Sequence, residues 1–331
     1  MHTADSPHPD AIPRIPQTLH EFSLNDPLLH PLPEAEQAIR DLGRDPVQGA
    51  LLHGTRIFRR SPPHLLGIRA EPPGETLTGR EQQLLAGLHA IQQARGCRYT
   101  LLGLGMHPVL SETNGIANSQ CLHIRAGYRT EEEGQELFRK ILALLPYLVA
   151  VSAASPFVDE RLEPAADNRL LRIPEVMRPA TGPAGGAEEG AAPDPASLVH
   201  RPAPGCLEIR ALDEQECIHS DLAVVAFLSA LLRHPDPGID RDTGDIAGLL
   251  GTAIQYGTSR LQPELERLME GARGTATRDE RRFLPVMARR IEQGSLAEAL
   301  RDRSLNGEPL ADLLSDLAFC LKTNLPYGMV D

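Results

Sequence analysis

Residues 206–213 read CLEIRALD and residues 121–127 read CLHIRAG, nearly the same phrase. Read as strands, both place aliphatic side chains on one face and ionisable ones on the other. Leu207, Ile209 and Ala211 oppose Glu208 and Arg210; Leu122, Ile124 and Ala126 oppose His123 and Arg125. Carboxylates, an imidazole and guanidinium groups converging from neighbouring strands suit metal–nucleotide chemistry. Mg²⁺ prefers hard oxygen ligands and shares one or two carboxylates with substrate phosphates, while arginine neutralises charge on a transferring phosphoryl group. The same alternation is also what a solvated sheet face with cross-strand ion pairs presents, so the pattern alone leaves both readings open.

The elements that must position these residues can be read along the chain. Residues 1–17 are proline-rich and unpatterned and read as a disordered tail. TLHEFSLND, from 18, reads as a strand, and PLPEAEQAIRDL as a helix with prolines at its entry. A helix over 78–95 carries an apolar stripe of Leu84, Leu85, Leu88 and Ile91. The strand RYTLLGLG follows and ends at MHP. After CLHIRAGY, Thr130 followed by Glu133 fits a capping box, and Leu137, Phe138, Ile141, Leu142, Leu145 and Leu148 form the buried stripe of the helix it opens. Residues 178–204 are low in complexity and read as a flexible surface loop inside a core domain spanning 18–235. From Ser220 the text is mainly helical, and 236–331 reads as a helical part of the same domain. Strands first and helices after predict an α+β fold, with helices covering one side of an antiparallel sheet.

Composition narrows the partners. The 331 residues are 41% hydrophobic, enough for a substantial core. A formal net charge of −12 without a basic stripe argues against nucleic acid. Cysteines 97, 121, 206, 217 and 320 form no CxxC pair, the pattern of reduced thiols in a cytoplasmic protein. The first residues hold no apolar signal segment. LALLPYLVAVSAASPF, the longest apolar stretch, is interrupted by Pro146 and falls short of the ~20 residues that cross a bilayer. It reads as a buried helix kinked at the proline. Helices in the last hundred residues could supply the surface of a homo-oligomer.

CLEIRALDEQECIHSDLA at 206–223 resembles the signature strand of the glutamate-cysteine ligase type 2, or carboxylate-amine ligase, family. HEFSLNDPLLHPLP at 20–33 is similar to that family's first strand, LLGLGMHP at 101–108 to its glycine-rich strand, and LLPYLVAVSAASPF with DNRL at 144–170 to its buried helix and following loop. The blocks stand in the family's order across roughly 18–235. The resemblance implies a glutamine-synthetase-like fold, an antiparallel sheet forming a funnel packed with helices. It also implies an ATP- and Mg²⁺-dependent reaction in which a substrate carboxylate is phosphorylated and an amine attacks the acyl phosphate. The substrates would be small amino acids, with glutamate and cysteine as the leading pair. By position, Glu21, Glu208 and His123 would bind metal and Arg210 would be the catalytic, phosphate-facing cation. Arg125, His107 and Arg169 would contact substrate.

Structural roles compete at several of these positions. His20 should face away from Glu21 across the strand. Asp213 suits a turn after its strand, Asp167 and Asn168 suit a turn of their own, and His107 suits a buried imidazole satisfied by backbone. The chain also departs from the family pattern. Gly67 stands where the family supplies another metal-binding carboxylate, and SETNGIANSQ at 111–120 is shorter than the corresponding connection of active relatives. The alternative implied is a non-catalytic relative that binds or regulates.

Overall fold

The long alternating stretch at the start of the structured chain forms strand β1, Arg14–Asn25, and every large strand is built outward from it. The computed structural model describes residues 14–60, 63–94, 99–109, 119–172, 193–235, 238–239 and 243–329. Strands β2 (Ala50–Leu52), β3 (Thr55–Arg59) and β4 (Leu65–Ala70) form an antiparallel meander that joins one edge of β1. The short strand β5, Thr100–Leu102, also pairs with β1. On the other side follow β6 (Cys121–Gly127), β10 (Cys206–Asp213) and β9 (Val199–Ala203). The order is β2-β3-β4-β1-β6-β10-β9, with β5 beside β1. A separate hairpin pairs β7 (Phe157–Val158) with β8 (Arg161–Leu162).

Helices α1 (Ala35–Asp41), α2 (Leu77–Gln93), α3 (Glu131–Ser152) and α5 (Ile218–Arg233) cover the apolar side of this sheet. Thr130 opens α3 as its sequence implies: its hydroxyl accepts from the Glu133 amide at 3.2 Å, and the Glu133 carboxylate accepts from the Thr130 amide. The helix continues through Pro146 to Ser152. Phe22 and Leu24 of β1, Ile124 of β6 and Ile209 of β10 join one apolar cluster with Leu145 and Val149 of α3 and Phe227 of α5. That cluster extends to Leu250 and Ile254 of α6 (Thr243–Tyr256), Leu265 of α7 (Gln262–Thr275) and Met287 of α8 (Leu284–Gln293). Helices α9 (Leu296–Leu305) and α10 (Leu310–Thr323) build a smaller one with Leu102 and Leu104.

Two expectations of disorder change here. The tail expected over 1–17 already pairs with β6 at Arg14 and Gln17; residues 1–13 lie outside the described part. Within the loop expected over 178–204, Pro195–Leu198 form a 3-10 turn and 199–203 form β9, paired with β10. Residues 178–192 lie outside the described part, as do 110–118 of the short connection. The edge strand was hidden because VHRPA is polar and contains proline, which an edge accepts since one side of its backbone needs no partner.

The end of β10 is held by a buried ion pair. Asp213 accepts from the Ala154 amide at 2.8 Å and the Ser155 hydroxyl at 2.9 Å, and pairs with the Nε–H of Arg169. Arg169, in the short helix α4 (Asn168–Arg172), gives its other donors to the carbonyls of Arg210 and Ala211. It is buried, so the expected substrate contact is corrected to a backbone anchor for β10. Asp213 likewise is part of a buried network instead of a simple turn. The glycines of LLGLG make room for this: a Cβ on Gly103 would land on the Gln215 carbonyl, and one on Gly105 on the Asp213 carboxylate.

Replacing Gly105 by alanine should therefore cost about 3 kcal/mol, since it forces apart a buried charge pair. Urea unfolding measures this, and a loss well under 1 kcal/mol would show that the network rearranges freely. Asp167 supplies a second test. Burial first, and Asp213 beside it, push its carboxyl well above the ordinary range near 3.8, although Leu170 and Ser155 donate to it. The folded chain thus keeps a proton that the unfolded chain loses above about pH 4, and stability falls by up to ~1.4 kcal/mol per pH unit as pH rises toward the folded value. Asp167→Asn should flatten the fall in melting temperature from pH 5 upward; parallel pH curves for the two proteins would refute the assignment.

Candidate active site on the polar sheet face

Alternation sends every second residue of β1, β6 and β10 to the face opposite the helices. Register sets which of them meet. Glu208 lies across from Arg125, His123 across from Leu19, and Glu21 across from Gly67. Glu21, His123 and Glu208 are all buried, and they form a chain. Nε2 of His123 lies 3.4 Å from Oε1 of Glu21, and its Nδ1 lies 3.8 Å from Oε1 of Glu208. Neither ring nitrogen makes a hydrogen bond.

Guanidinium groups close around this chain. Arg60 donates from Nε to Oε1 of Glu21 at 2.5 Å, while the Cys121 amide donates to Oε2 at 3.1 Å. Arg125 donates to Oε1 of Glu208 at 3.0 Å and also to Gln17; Arg210 donates to Oε2 of Glu208 at 2.7 Å. All three arginine side chains remain about one third exposed, so their outer nitrogens are open to solvent or ligand. The electrostatics follow. Burial opposes ionisation of Glu21, but His123 and Arg60 outweigh it and lower its pKa. Burial likewise opposes ionisation of Glu208, and Arg210 with Arg125 holds it low. Burial also resists charge on His123; the adjacent Cys121 and Glu21 raise it to about 10 all the same. Two carboxylates thus face three guanidinium groups and an imidazolium, and this part of the face carries net positive charge. Charge of this sign suits a polyanion.

The donor set also fits a divalent ion. Two carboxylates flank an imidazole whose buried ring nitrogens make looser ion-pair contacts but no hydrogen bond, and an unmade hydrogen bond in a buried site leaves room for a ligand. Glu21, Glu208 and His123 are the residues that would hold it. Gly67 lies on this same face as the register requires, and its missing side chain is replaced by others. A Cβ there would meet the Phe58 ring at 2.7 Å and the Arg60 stem at 3.2 Å.

Of the sequence-derived candidates, Glu21, His123, Arg125, Glu208 and Arg210 come together. His107 does not; it is buried, with Nε2 donating to Asn25 at 2.9 Å and Nδ1 accepting from the Val109 amide, and burial lowers its pKa to about 3. Its structural role replaces the expected substrate contact. His20 points to the helix side, as alternation requires, 2.9 Å from Asp221. Two participants were missed. Arg60 follows β3 in a stretch with no chemical pattern, and His200 sits on β9 across from Glu208. A V-H-R alternation was the one signal for His200, and its proline-rich context concealed it.

Comparisons with known proteins bear on this arrangement. Residues 20–176 match the model of glutamate-cysteine ligase family 2 (GCS2). An uncharacterized protein of Archaeoglobus fulgidus is 29% identical over 363 aligned residues, covering 93% of this chain and 98% of that one. The fold is similar to that of PafA, ligase of the prokaryotic ubiquitin-like protein Pup, solved in complex with Pup. The TM-score is 0.53 and the identity 13%, over 95% of this chain and 69% of that one. PafA solved with ADP gives a TM-score of 0.50 at 13% identity, over 80% and 68%. The α+β, glutamine-synthetase-like architecture expected from the sequence is the one found, and the family match supports a carboxylate-amine ligase. Among the described residues no helix is long and apolar enough to cross a membrane. The segment that carries Glu21 and His123 lies inside the matched region, so over residues 20–176 the chain is similar to glutamate-cysteine ligase family 2.

Proposed function

We propose that this protein is an ATP- and Mg²⁺-dependent ligase that joins the side-chain carboxylate of glutamate, or of a similar small acid, to an amine such as cysteine. The observation that carries the reading is the concentration of Glu21, His123, Glu208 and three arginines on one face of adjacent strands. A carboxylate is a poor electrophile because its negative charge repels a nucleophile. Transfer of the terminal phosphoryl group to one carboxylate oxygen gives an acyl phosphate and ADP; the amine then attacks the carbonyl carbon, phosphate departs with the C–O electron pair, and the amine loses a proton.

The residues divide this work. Arg60, Arg125 and Arg210 present the cationic surface on which phosphate oxygens dock, and Arg210 stabilises the charge that develops during transfer. Glu208 fixes the orientation of Arg125 and Arg210 by one hydrogen bond to each. Glu21 does the same for Arg60. His123, protonated between the two carboxylates, keeps them from repelling one another. Once His123 gives up that proton, Glu21, Glu208 and the neutral imidazole would hold Mg²⁺, which would neutralise phosphate charge and polarise the phosphoryl group.

A second reading, a non-catalytic relative that binds nucleotide or regulates a partner, is favoured by the surroundings of Gly67. The Phe58 ring and the Arg60 stem fill the space there, and Arg60 already supplies Glu21 with a cation. ADP release with ATP and Mg²⁺, measured with glutamate and cysteine and then a panel of other acids and amines, separates the two readings. Turnover should need both substrates and fall ~100-fold or more in Glu208→Gln, with the melting temperature little changed. Full turnover in that variant would remove Glu208 from the site, and folded protein without turnover on any pair would favour the non-catalytic reading.

A further inference from the structure

Behind the sheet, on the face opposite Glu21, lies a second cluster of ionisable groups that the ligase reading does not use. His20 of β1, Glu214 just after β10 and Asp221 in α5 are all fully buried. Nδ1 of His20 stands 2.9 Å from Oδ2 of Asp221 and 3.3 Å from Oε1 of Glu214. Among the described residues no lysine or arginine pairs with either carboxyl group, and ionising both in a dry interior without a cation would be costly.

The outer atoms of the same three side chains are each fixed by something else. Nε2 of His20 meets Thr18 Oγ1 at 2.9 Å. Oε2 of Glu214 accepts from the Glu21 amide at 2.8 Å, and Oδ1 of Asp221 accepts from the Gln215 amide at 3.1 Å. One ligand atom of each residue is left, and the three lie within 4.8 Å of one another. Oε1 of Glu214 has no hydrogen-bond partner at all although it is completely buried. Second contacts of this kind, which set the imidazole tautomer and aim each carboxylate, are what surround a metal ion's ligands. The two spacings from His20, 2.9 and 3.3 Å, agree: ligands at ~2.1 Å from a common ion lie roughly 3.0–3.4 Å apart for octahedral to tetrahedral angles.

We propose that His20, Glu214 and Asp221 bind a divalent transition-metal ion, with Zn²⁺ the best fit to one imidazole and two carboxylates in a dry site. With neutral His20 the two carboxylates balance the ion's charge. The ion would tie β1 to the start of α5 directly behind Glu21, whose own amide is held by Glu214, so its role is to position the strand that carries the polar face. It does not depend on the ligase reading, because the two sites lie on opposite faces of the sheet.

The test uses the full chain, refolded from urea with Zn²⁺ and then desalted, since a closed site loads as the chain folds. In the Glu208→Gln background, which removes a ligand from the polar face, mass spectrometry of the metal content should give about one equivalent, and less than about one tenth once Asp221→Asn or His20→Gln is added. Should those variants fail to fold, wild-type protein refolded with Co²⁺ decides the matter. Visible ligand-field bands, with an anomalous X-ray peak between the three side chains, support the site; their absence overturns it. Wild-type protein that holds no metal, and refolds in chelator with an unchanged melting temperature, would show that Glu214 and Asp221 share a proton instead. Metal retained by every folded cluster variant would also refute the assignment.

Discussion

A carboxylate taken out of water must be given a partner, and this constraint organises both faces of the sheet. Glu21 and Glu208 are buried in strands that also have to satisfy a hydrogen-bonded ladder. Their neighbours are therefore cations or amide donors: Arg60, Arg125, Arg210, His123 and the Cys121 amide. The surplus of positive charge that results gives the face a potential suited to anions. Arginine serves better than lysine here, because one planar head can bind a carboxylate with one nitrogen and still offer others outward.

The same constraint explains the rigid end of β10. Asp213 is tied to Arg169, Ala154 and Ser155, and Arg169 in turn holds the carbonyls of Arg210 and Ala211. Arg210 therefore projects from a backbone whose position is set from behind. A site for phosphoryl transfer gains from such support, since donors held in place need no reorganisation as charge develops. Gly103 and Gly105 let the glycine-rich segment pass close enough to close this network, which gives the LLGLG motif a packing role and not a catalytic one.

Much of the polar face was legible because period-two alternation is a local property. Given a strand, CLEIR and CLHIR fix which side chains share a face, and pairing of the two strands brings Glu208 opposite Arg125. Helix α3 was legible for a similar reason: Thr130, Glu133 and the leucine stripe all lie within a few turns. Arg60 was not, since its meeting with Glu21 depends on β3 folding back along β4 and on Gly67 leaving room. His107 and Arg169 looked like contacts because their residue types do chemistry elsewhere. Burial and satisfied hydrogen bonds, which no local pattern reports, make them structural.

The sequence by itself determined the fold class, the family resemblance and the chemical character of one strand face, because these rest on periodicity and on motifs a few residues long. The tertiary structure decided which charges meet. Residues 21, 60, 123 and the neighbouring pair 208 and 210 come from separate stretches of the chain, as does 20 from 214 and 221, and the order and register of the strands bring each group together. Electrostatic interaction falls with distance and strengthens on burial, and both quantities are set by the folded chain.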